Sequence, residues 1–197
     1  MTSPFDARPV VVAVAGPNGA GKTTFSEAHV APAGLRFVNA DDLARELELD
    51  PYAAAEVAAG LRETLLEQGE SFVFETVFSD PVGEKVALLK RAVALGYTVV
   101  LCFIGLQGPE VSEERVAMRV AQGGHDVPSA KLVARYPRTL RNLARAIREL
   151  PNVIVHDNSD LARPFRRVAA FEQGRAVEAD GDRPKWLEKA LLRSKRR

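Results

Sequence analysis

Gly-Pro-Asn-Gly-Ala-Gly-Lys-Thr occupies residues 16–23 and directly follows the apolar run Val-Val-Val-Ala-Val-Ala of residues 10–15. The glycines allow the backbone to wrap around an oxyanion with its N–H groups pointing inward. A helix that opens at Lys22 adds the partial positive charge of its N-terminus at the same place. A buried strand, a glycine-rich turn and a helix in this order are typical of a P-loop, so the stretch predicts a binding site for a nucleoside triphosphate.

The P-loop motif predicts a role for individual residues. Lys22 supplies a full positive charge for the β- and γ-phosphates, and Thr23 offers a hydroxyl to Mg²⁺. We therefore expect a nucleotide cofactor together with the Mg²⁺ that it brings. The residues expected to contact the nucleotide are Gly16, Pro17, Asn18, Gly19, Ala20, Gly21, Lys22, Thr23 and Thr24.

Length and composition are those of an ordinary soluble protein. The 197 residues predict one domain, 1–197, with 46% hydrophobic and 27% charged residues. A formal net charge of +1 gives no overall field toward nucleic acid or an anionic membrane. No stretch has the length of a membrane span and no signal peptide opens the chain, so we expect a cytoplasmic protein without membrane or nucleic-acid partners.

Cysteine and histidine give no sign of a metal site. The single cysteine, Cys102, lies within the apolar run of residues 99–104 and is expected to be buried in a strand. His29, His125 and His156 are scattered without the spacing of metal ligands. We therefore predict no transition metal held by the protein.

Segments with strand and helix patterns alternate along the chain, which favours an α/β fold: a three-layer sandwich with a mainly parallel sheet covered by helices on both faces. Asp50 is the expected N-cap and Pro51 the first position of a long helix that Gly69 ends. Another helix is expected from Pro81 to about Gly96. Five short apolar strands fit the pattern, at about 9–15, 35–38, 71–75, 97–104 and 152–156.

The segment between the fourth and fifth predicted strands carries no strand pattern. Two helices fit it, at about 109–122 and 129–149, joined by a turn that begins with two glycines. We interpret this arginine-rich insertion, about 109–150, as a helical lid. After the fifth strand, we expect a C-terminal hairpin that turns near Gly174 and a short helix from about Pro184.

Acidic residues follow two of the predicted strands, at the sheet edge where ligands bind in open α/β folds. Asp41 and Asp42 come after the second strand, and a carboxylate there can accept a proton from an acceptor hydroxyl. Helix capping by Asp41 is the alternative, and the two roles do not exclude each other. Glu75 ends the third strand and is expected to support Mg²⁺ or to bind substrate, with Thr76 and Ser79 as further polar groups near a ligand.

Arginine recurs in the predicted lid at the spacing of one helical turn. Arg115 and Arg119 share one helix face, and Arg135 shares the next with either Arg138 or Arg141. Arginines delivered by a closing lid can stabilise charge on a transferred phosphoryl group by about 10³-fold or more. A solvated helix face is the alternative for any single arginine of this group.

Asn158 follows the fifth predicted strand. In P-loop kinases the loop at this position commonly contacts the nucleobase, and a carboxamide can hydrogen-bond adenine. Asn158 is therefore expected to belong to the nucleotide site.

Several of these segments together resemble the zeta toxin family, and more narrowly its small stand-alone bacterial branch, often labelled as predicted ABC-type ATPases. The resemblance covers about 9–192, nearly the whole chain. The segments that carry it are the P-loop with its strand, Asn39-Ala40-Asp41, Phe74-Glu75-Thr76, Arg115 to Val120, Gly123-Gly124-His125-Asp126-Val127-Pro128 and Asp157-Asn158-Ser159.

The resemblance implies an ATP-dependent small-molecule kinase with a P-loop kinase fold of the nucleoside- and shikimate-kinase type. Zeta toxins are known to phosphorylate the 3′-hydroxyl of the sugar in UDP-N-acetylglucosamine, so a UDP-sugar is the implied acceptor. An antitoxin protein is the implied partner.

The family pattern also implies roles at matching positions of this sequence. Lys22 and Thr23 match the residues that bind ATP and Mg²⁺. Asp41 matches the catalytic base better than Asp42 does, because of its place after the strand.

Acceptor and phosphate contacts carry over in the same way. Glu75 and Thr76 match the strand end that binds the acceptor. Arg119 matches one of the two lid arginines that hold the phosphates, and either Arg135 or Arg138 matches the other.

Two other functions remain open at the level of sequence. A nucleotide-dependent ATPase or switch would use the same P-loop and act through a protein partner. A kinase of another small metabolite, a nucleoside or a nucleic-acid end would need only a different acceptor subsite. The dependence of turnover on an added acceptor would distinguish the first of these from a kinase.

Overall fold

Seven strands form a sheet in which the first five strands of the chain are parallel and the last two are added as an antiparallel hairpin. The computed structural model describes residues 5–124 and 126–194, so His125 lies outside the described part. The spatial order of the strands is β2-β3-β1-β4-β5-β6-β7. Their bounds are β1 Val10–Ala15, β2 Arg36–Val38, β3 Phe72–Thr76, β4 Thr98–Gly105, β5 Asn152–Asp157, β6 Arg166–Glu172 and β7 Arg175–Ala179.

Seven α-helices accompany this sheet within the described residues. They are α1 Lys22–Phe25, α2 Ala40–Glu46, α3 Pro51–Glu67, α4 Glu84–Ala94, α5 Pro109–Ala121, α6 Ser129–Glu149 and α7 Lys185–Ser194. The first helix continues into a π-helical turn, Ser26–Val30, and a 3₁₀ turn, Ala31–Ala33. None of the helices in the described ranges is long and apolar enough to cross a membrane.

The predicted α/β fold with a mainly parallel sheet is confirmed, and each of the five parallel strands begins and ends within one residue of its expected position. The sheet has seven strands instead of five, because the C-terminal hairpin pairs with β5. Strand β6 buries Val168, Ala169 and Phe171, and its pairing with β5 joins these side chains to the main core. Cys102 is buried in β4 as expected, and burial raises the pKa of its thiol to about 12.

Two helices begin at residues other than those expected. Asn39 caps α2, since its Oδ1 accepts a hydrogen bond from the Asp41 N–H at 2.9 Å, so Asp41 is not the cap. Helix α4 begins at Glu84 instead of Pro81, because Gly83 precedes it in the left-handed conformation, with φ +81°. Capping by Asn39 leaves the Asp41 carboxylate free of that structural task.

Side chains of β1 alternate between two buried layers. The odd-numbered residues pack into a core built with α3, α4, α6 and α7, and the even-numbered residues pack with Phe25 of α1. Parallel strands that are buried on both faces leave their carboxyl ends as the place for a ligand. The P-loop follows β1 at this edge of the sheet.

The insertion between β4 and β5 contributes to the core, which the lid interpretation did not anticipate. Leu140, Leu143 and Ile147 of α6 are buried among the residues of the main core. The second half of α6 is therefore a fixed part of the fold. A moving lid can include only the part of the insertion that precedes this half.

Candidate active site

Close backbone contacts hold the P-loop against the strand ends. The Gly16 N–H donates a hydrogen bond to the Thr76 carbonyl at 3.2 Å. Gly16 has φ +153°, and a Cβ at this position would lie 2.2 Å from the Ile104 carbonyl oxygen. Gly21 has φ +82°, and a Cβ there would lie 3.0 Å from the Asn158 side chain. Only glycine fits this path of the backbone without displacing its neighbours.

A cleft of about 610 Å³ lies at the carboxyl ends of the parallel strands. The P-loop contributes Asn18, Gly19, Gly21, Lys22, Thr23 and Thr24 to its lining. Other elements contribute Asp41, Glu75, Thr76, Arg115, Arg119 and Arg135. Residues from five segments that are separate in sequence thus meet in one cavity.

Lys22 extends from the first helical turn and bends back over the loop. Its Nζ donates a hydrogen bond to the Pro17 carbonyl at 3.1 Å. Burial lowers the pKa of Lys22, and the nearby carboxylates of Glu75 and Asp41 oppose this effect. Lys22, Glu75 and Asp41 all line the same cleft.

Thr23 of α1 and Glu75 of β3 are in direct contact where the P-loop helix meets the sheet. The Thr23 hydroxyl donates a hydrogen bond to Glu75 Oε2 at 3.1 Å. The other carboxylate oxygen, Oε1, is buried and has no hydrogen-bond partner within the described residues. Burial raises the pKa of Glu75, and the Lys22 ammonium opposes this. A hydroxyl and a carboxylate with a vacant oxygen are ligands that fit Mg²⁺.

The structure separates the two neighbouring aspartates. Asp41 lines the cleft, and its charge acts on both Lys22 and Glu75. Asp42 instead forms an ion pair with Arg45 at 2.7 Å on the outside of α2. Of the two aspartates, only Asp41 is therefore positioned to act on a ligand in the cleft.

The lid arginines are distributed unequally. Arg115, Arg119 and Arg135 line the cleft, whereas Arg138 and Arg141 do not. Arg115 donates a hydrogen bond to the Ser159 carbonyl at 3.3 Å. Of the two alternatives for the second lid arginine, the geometry favours Arg135 over Arg138.

Helix α5 is docked on the P-loop at its N-terminal half. The Ser112 hydroxyl donates a hydrogen bond to the Asn18 carbonyl, and a Cβ on Gly19 would lie 3.0 Å from Arg115 Cβ. The start of α5 thus lies directly against the P-loop. Sequence reasoning missed Ser112, because its contact is 94 residues away in the chain.

Two of the expected ligand contacts have other positions. Ser79 is not among the residues that line the cleft. Asn158 is buried, with 4% of its surface exposed, and its Nδ2 donates to the Ala20 carbonyl at 2.9 Å. Its Oδ1 accepts a hydrogen bond from the Phe165 N–H at 3.2 Å. The structure does not place Asn158 as an adenine contact, because the carboxamide already braces the P-loop.

This bracing leads to a prediction for Asn158→Ala. The variant leaves the buried Ala20 carbonyl without its donor and the half-buried Phe165 N–H without its acceptor. The loss of a partner for a buried group costs about 1–3 kcal/mol in the free energy of unfolding. Nucleotide affinity should fall as well, since the loop loses its support at Ala20. Urea unfolding and nucleotide titration measure the two effects.

Asn152→Ala is the matched control for this prediction. Asn152 lies at the other end of β5, and its Nδ2 donates to the Val99 carbonyl at 2.9 Å, away from the P-loop. We expect this variant to lose stability but to bind nucleotide normally. Equal nucleotide affinity in both variants would contradict the bracing role of Asn158.

Asp157 and Ser159, which flank Asn158, also have structural roles. Asp157 Oδ1 accepts hydrogen bonds from the Ser159 hydroxyl at 2.6 Å and from the Trp186 Nε1–H at 3.0 Å. Trp186 thereby fastens α7 to the end of β5. The sequence carries no local signal for this contact.

Arg62 of α3 is a residue of the cleft that sequence reasoning missed. It occupies a position on the buried stripe of α3 that Ala54, Ala58 and Leu65 otherwise fill. A lone arginine at an apolar position of a helix is the signal that could have identified it.

The fold and the P-loop of this chain match a described protein family. A family model described as an AAA domain, AAA_33, matches residues 11–138, about two thirds of the chain. This range begins in β1 and includes the P-loop, the two acidic strand ends and all four arginines that line the cleft. No curated protein matches the chain by sequence.

Two solved structures share the fold. The crystal structure of AvrRxo1-ORF1:-ORF2 with ATP has 19% sequence identity and a TM-score of 0.69, with 93% of this chain and 64% of that chain covered. The PezAT chromosomal toxin-antitoxin system of Streptococcus pneumoniae has 16% identity and a TM-score of 0.56, with 94% of this chain and 86% of that chain covered. This chain thus spans 64% of the length of the AvrRxo1 chain that it matches.

Proposed function

Because the chain belongs to the AAA domain family AAA_33, we propose that its cleft is the active site of an ATP-dependent kinase of the zeta toxin type. The reaction transfers the γ-phosphoryl group of ATP to a hydroxyl group of a small molecule. The observation that carries the proposal is the position of the Asp41 carboxylate in the same cleft as the P-loop ammonium of Lys22. A phosphate cradle alone would serve hydrolysis equally well, whereas an added carboxylate supplies a base for an alcohol.

The nucleotide part of the site follows from the P-loop. Its backbone N–H groups and the Lys22 ammonium bind the phosphates of ATP. The Thr23 hydroxyl and the Glu75 carboxylate would hold Mg²⁺, which would supply further positive charge next to the phosphates. The neighbour crystallised with ATP supports this choice of nucleotide.

The transfer itself is assigned to three side chains. Asp41 accepts the proton of the acceptor hydroxyl as the new oxygen–phosphorus bond forms and the bond to ADP breaks. Arg119 and Arg135 stabilise the negative charge on the migrating phosphoryl group. Water is excluded when the first part of the insertion closes over the site, which protects ATP from hydrolysis.

For the acceptor, we propose UDP-N-acetylglucosamine or a related UDP-sugar, bound near Glu75 and Thr76. The resemblance to zeta toxins and the fold shared with the PezAT system support this choice. Both solved neighbours come from two-protein systems, AvrRxo1-ORF1 with ORF2 and a toxin with its antitoxin. A regulatory protein partner is therefore part of the same proposal.

The experiment that tests the proposal is a measurement of ATP consumption with and without UDP-N-acetylglucosamine, with product masses read by mass spectrometry. We expect slow consumption with ATP alone, faster consumption with the acceptor, and an acceptor product heavier by one phosphoryl group. Steady hydrolysis with no change in any acceptor of a metabolite extract would contradict the kinase and favour an ATPase switch.

A further inference from the structure

Arg62 is a buried cation without a counter-charge. Only 6% of its surface is exposed, and its Nε has no hydrogen-bond partner within the described residues. No carboxylate of the described part pairs with it, and burial alone lowers its pKa. The Arg62 guanidinium makes a cation–π contact with the Phe74 ring, whose centroid lies 5.2 Å from the guanidinium carbon.

An unpaired guanidinium in this position is unfavourable for the fold. Burial of a charge without a partner costs several kcal/mol of folding free energy, and arginine is rarely buried in proteins unless it is paired. An apolar residue would complete the stripe of Ala58 and Leu65 on α3. Arg62 instead lines the cleft, next to the space that a ligand would occupy.

The surroundings of Arg62 assign it to the acceptor side of the cleft. Helix α3 packs against α2, the helix that carries Asp41. Phe74, beneath the guanidinium, directly precedes Glu75. Lys85 lines the same cavity, and its ammonium is 3.9 Å from Glu84, a loose contact that leaves its charge available. The proposed function assigns the nucleotide phosphates, by contrast, to the P-loop and to the arginines of the insertion.

We propose that Arg62 is the specificity-determining residue of the acceptor subsite, and that the acceptor carries a phosphate or carboxylate group which this guanidinium binds. The inference rests on the proposed kinase function. Two parallel N–H groups of arginine match the two oxygens of such an anion, and a charge-assisted pair is strongest where water is excluded. Neutral alcohols lack this contact, so the kinase selects anionic acceptors.

The test uses the full chain saturated with Mg²⁺ and the non-hydrolysable ATP analogue AMP-PNP, so that the P-loop is filled. Inorganic phosphate or acetate is then titrated against chloride at equal ionic strength, and the midpoint of thermal unfolding is recorded. Either anion should raise the midpoint relative to chloride, because a ligand that binds the native state stabilises it. The stronger of the two identifies a phosphorylated or a carboxylated acceptor.

Arg62→Met separates anion binding from packing. Methionine still covers the Phe74 ring but carries no charge, so the variant should lose the response to the anion by at least about tenfold in affinity. Without ligand it should melt about 2–4 °C higher than the native protein, because a buried unpaired charge is gone. Arg45→Met, at an exposed arginine paired with Asp42, is the control and should respond like the native protein.

The anion response of the folded protein decides the outcome. An unchanged response in Arg62→Met, or no response in the native protein, overturns the proposal. If Arg62→Met does not fold, Arg62→Lys takes its place, since it keeps the charge but loses the two-pronged contact and should bind the anion about tenfold more weakly. Because the assay needs no phosphoryl transfer, failure of AMP-PNP binding would count against the kinase, whereas failure of the anion response alone would count only against Arg62.

Discussion

A Lys22→Ala variant is expected to lose phosphoryl transfer by about 10³-fold or more, which corresponds to about 4 kcal/mol of transition-state stabilisation. Lys22 is the charged side chain of the P-loop, and it lines the cleft together with Glu75 and Asp41. Its removal leaves the developing charge on the phosphoryl group without its main fixed counter-charge. The rate of product formation in a single turnover measures the effect.

Stability should be little changed in this variant. Among the described residues, the Lys22 side chain donates one hydrogen bond, to the Pro17 carbonyl, and the loop keeps its backbone contacts through Gly16. Lys90→Ala is the matched control, because Lys90 is paired with Glu149 on the far side of α4 at 2.9 Å. That variant should retain full activity. Full activity in Lys22→Ala would remove the P-loop mechanism from consideration.

The parts of the fold that sequence predicted well depend on residues close together in the chain. The P-loop is a contiguous motif after a contiguous apolar strand. Asp50 caps α3 by accepting hydrogen bonds from the N–H groups of Tyr52 and Ala53, two and three residues away. Signals of this kind are complete within one short window of sequence.

The parts that could not be predicted depend on contacts between distant segments. Asn158 was expected at the nucleobase, but it bonds to Ala20, 138 residues away in the chain. The sequence of residues 166–179 predicted a hairpin, but it did not predict that the hairpin pairs with β5. Helical spacing placed Arg135 and Arg138 close to one another without showing which of them faces the cleft.

Arg62 was missed for a different reason. Arg62 belongs to no known motif and does not follow a strand, since it lies within α3 between Ala58 and Leu65 on the buried face of the helix. The proposed role of Arg62 depends on the absence of an ion-pair partner among the described residues. This absence is visible only in the folded structure. A charged residue on the buried face of a helix departs from the usual pattern of burial, in which such positions are apolar.

Asp41→Asn is expected to lower the rate of phosphoryl transfer by about 10²–10⁴-fold, the usual contribution of a positioned base. Asparagine has the same shape as aspartate and cannot accept the proton of the acceptor hydroxyl. Nucleotide binding should survive, because the P-loop, Thr23 and Glu75 are unchanged. Single-turnover rates with the acceptor identified by mass spectrometry, together with a titration of AMP-PNP, separate the two properties.

Asp42→Asn is the adjacent control, one residue away and with the same chemical change. Asp42 pairs with Arg45 outside the cleft, and an exposed ion pair of this kind contributes about 0–1 kcal/mol to stability. Activity should therefore stay near that of the native protein. An inactive Asp42→Asn beside an active Asp41→Asn would show that the base lies one residue further along. If both variants retain activity, the cleft does not use a carboxylate of α2 as its base, and the kinase proposal loses the observation that carries it.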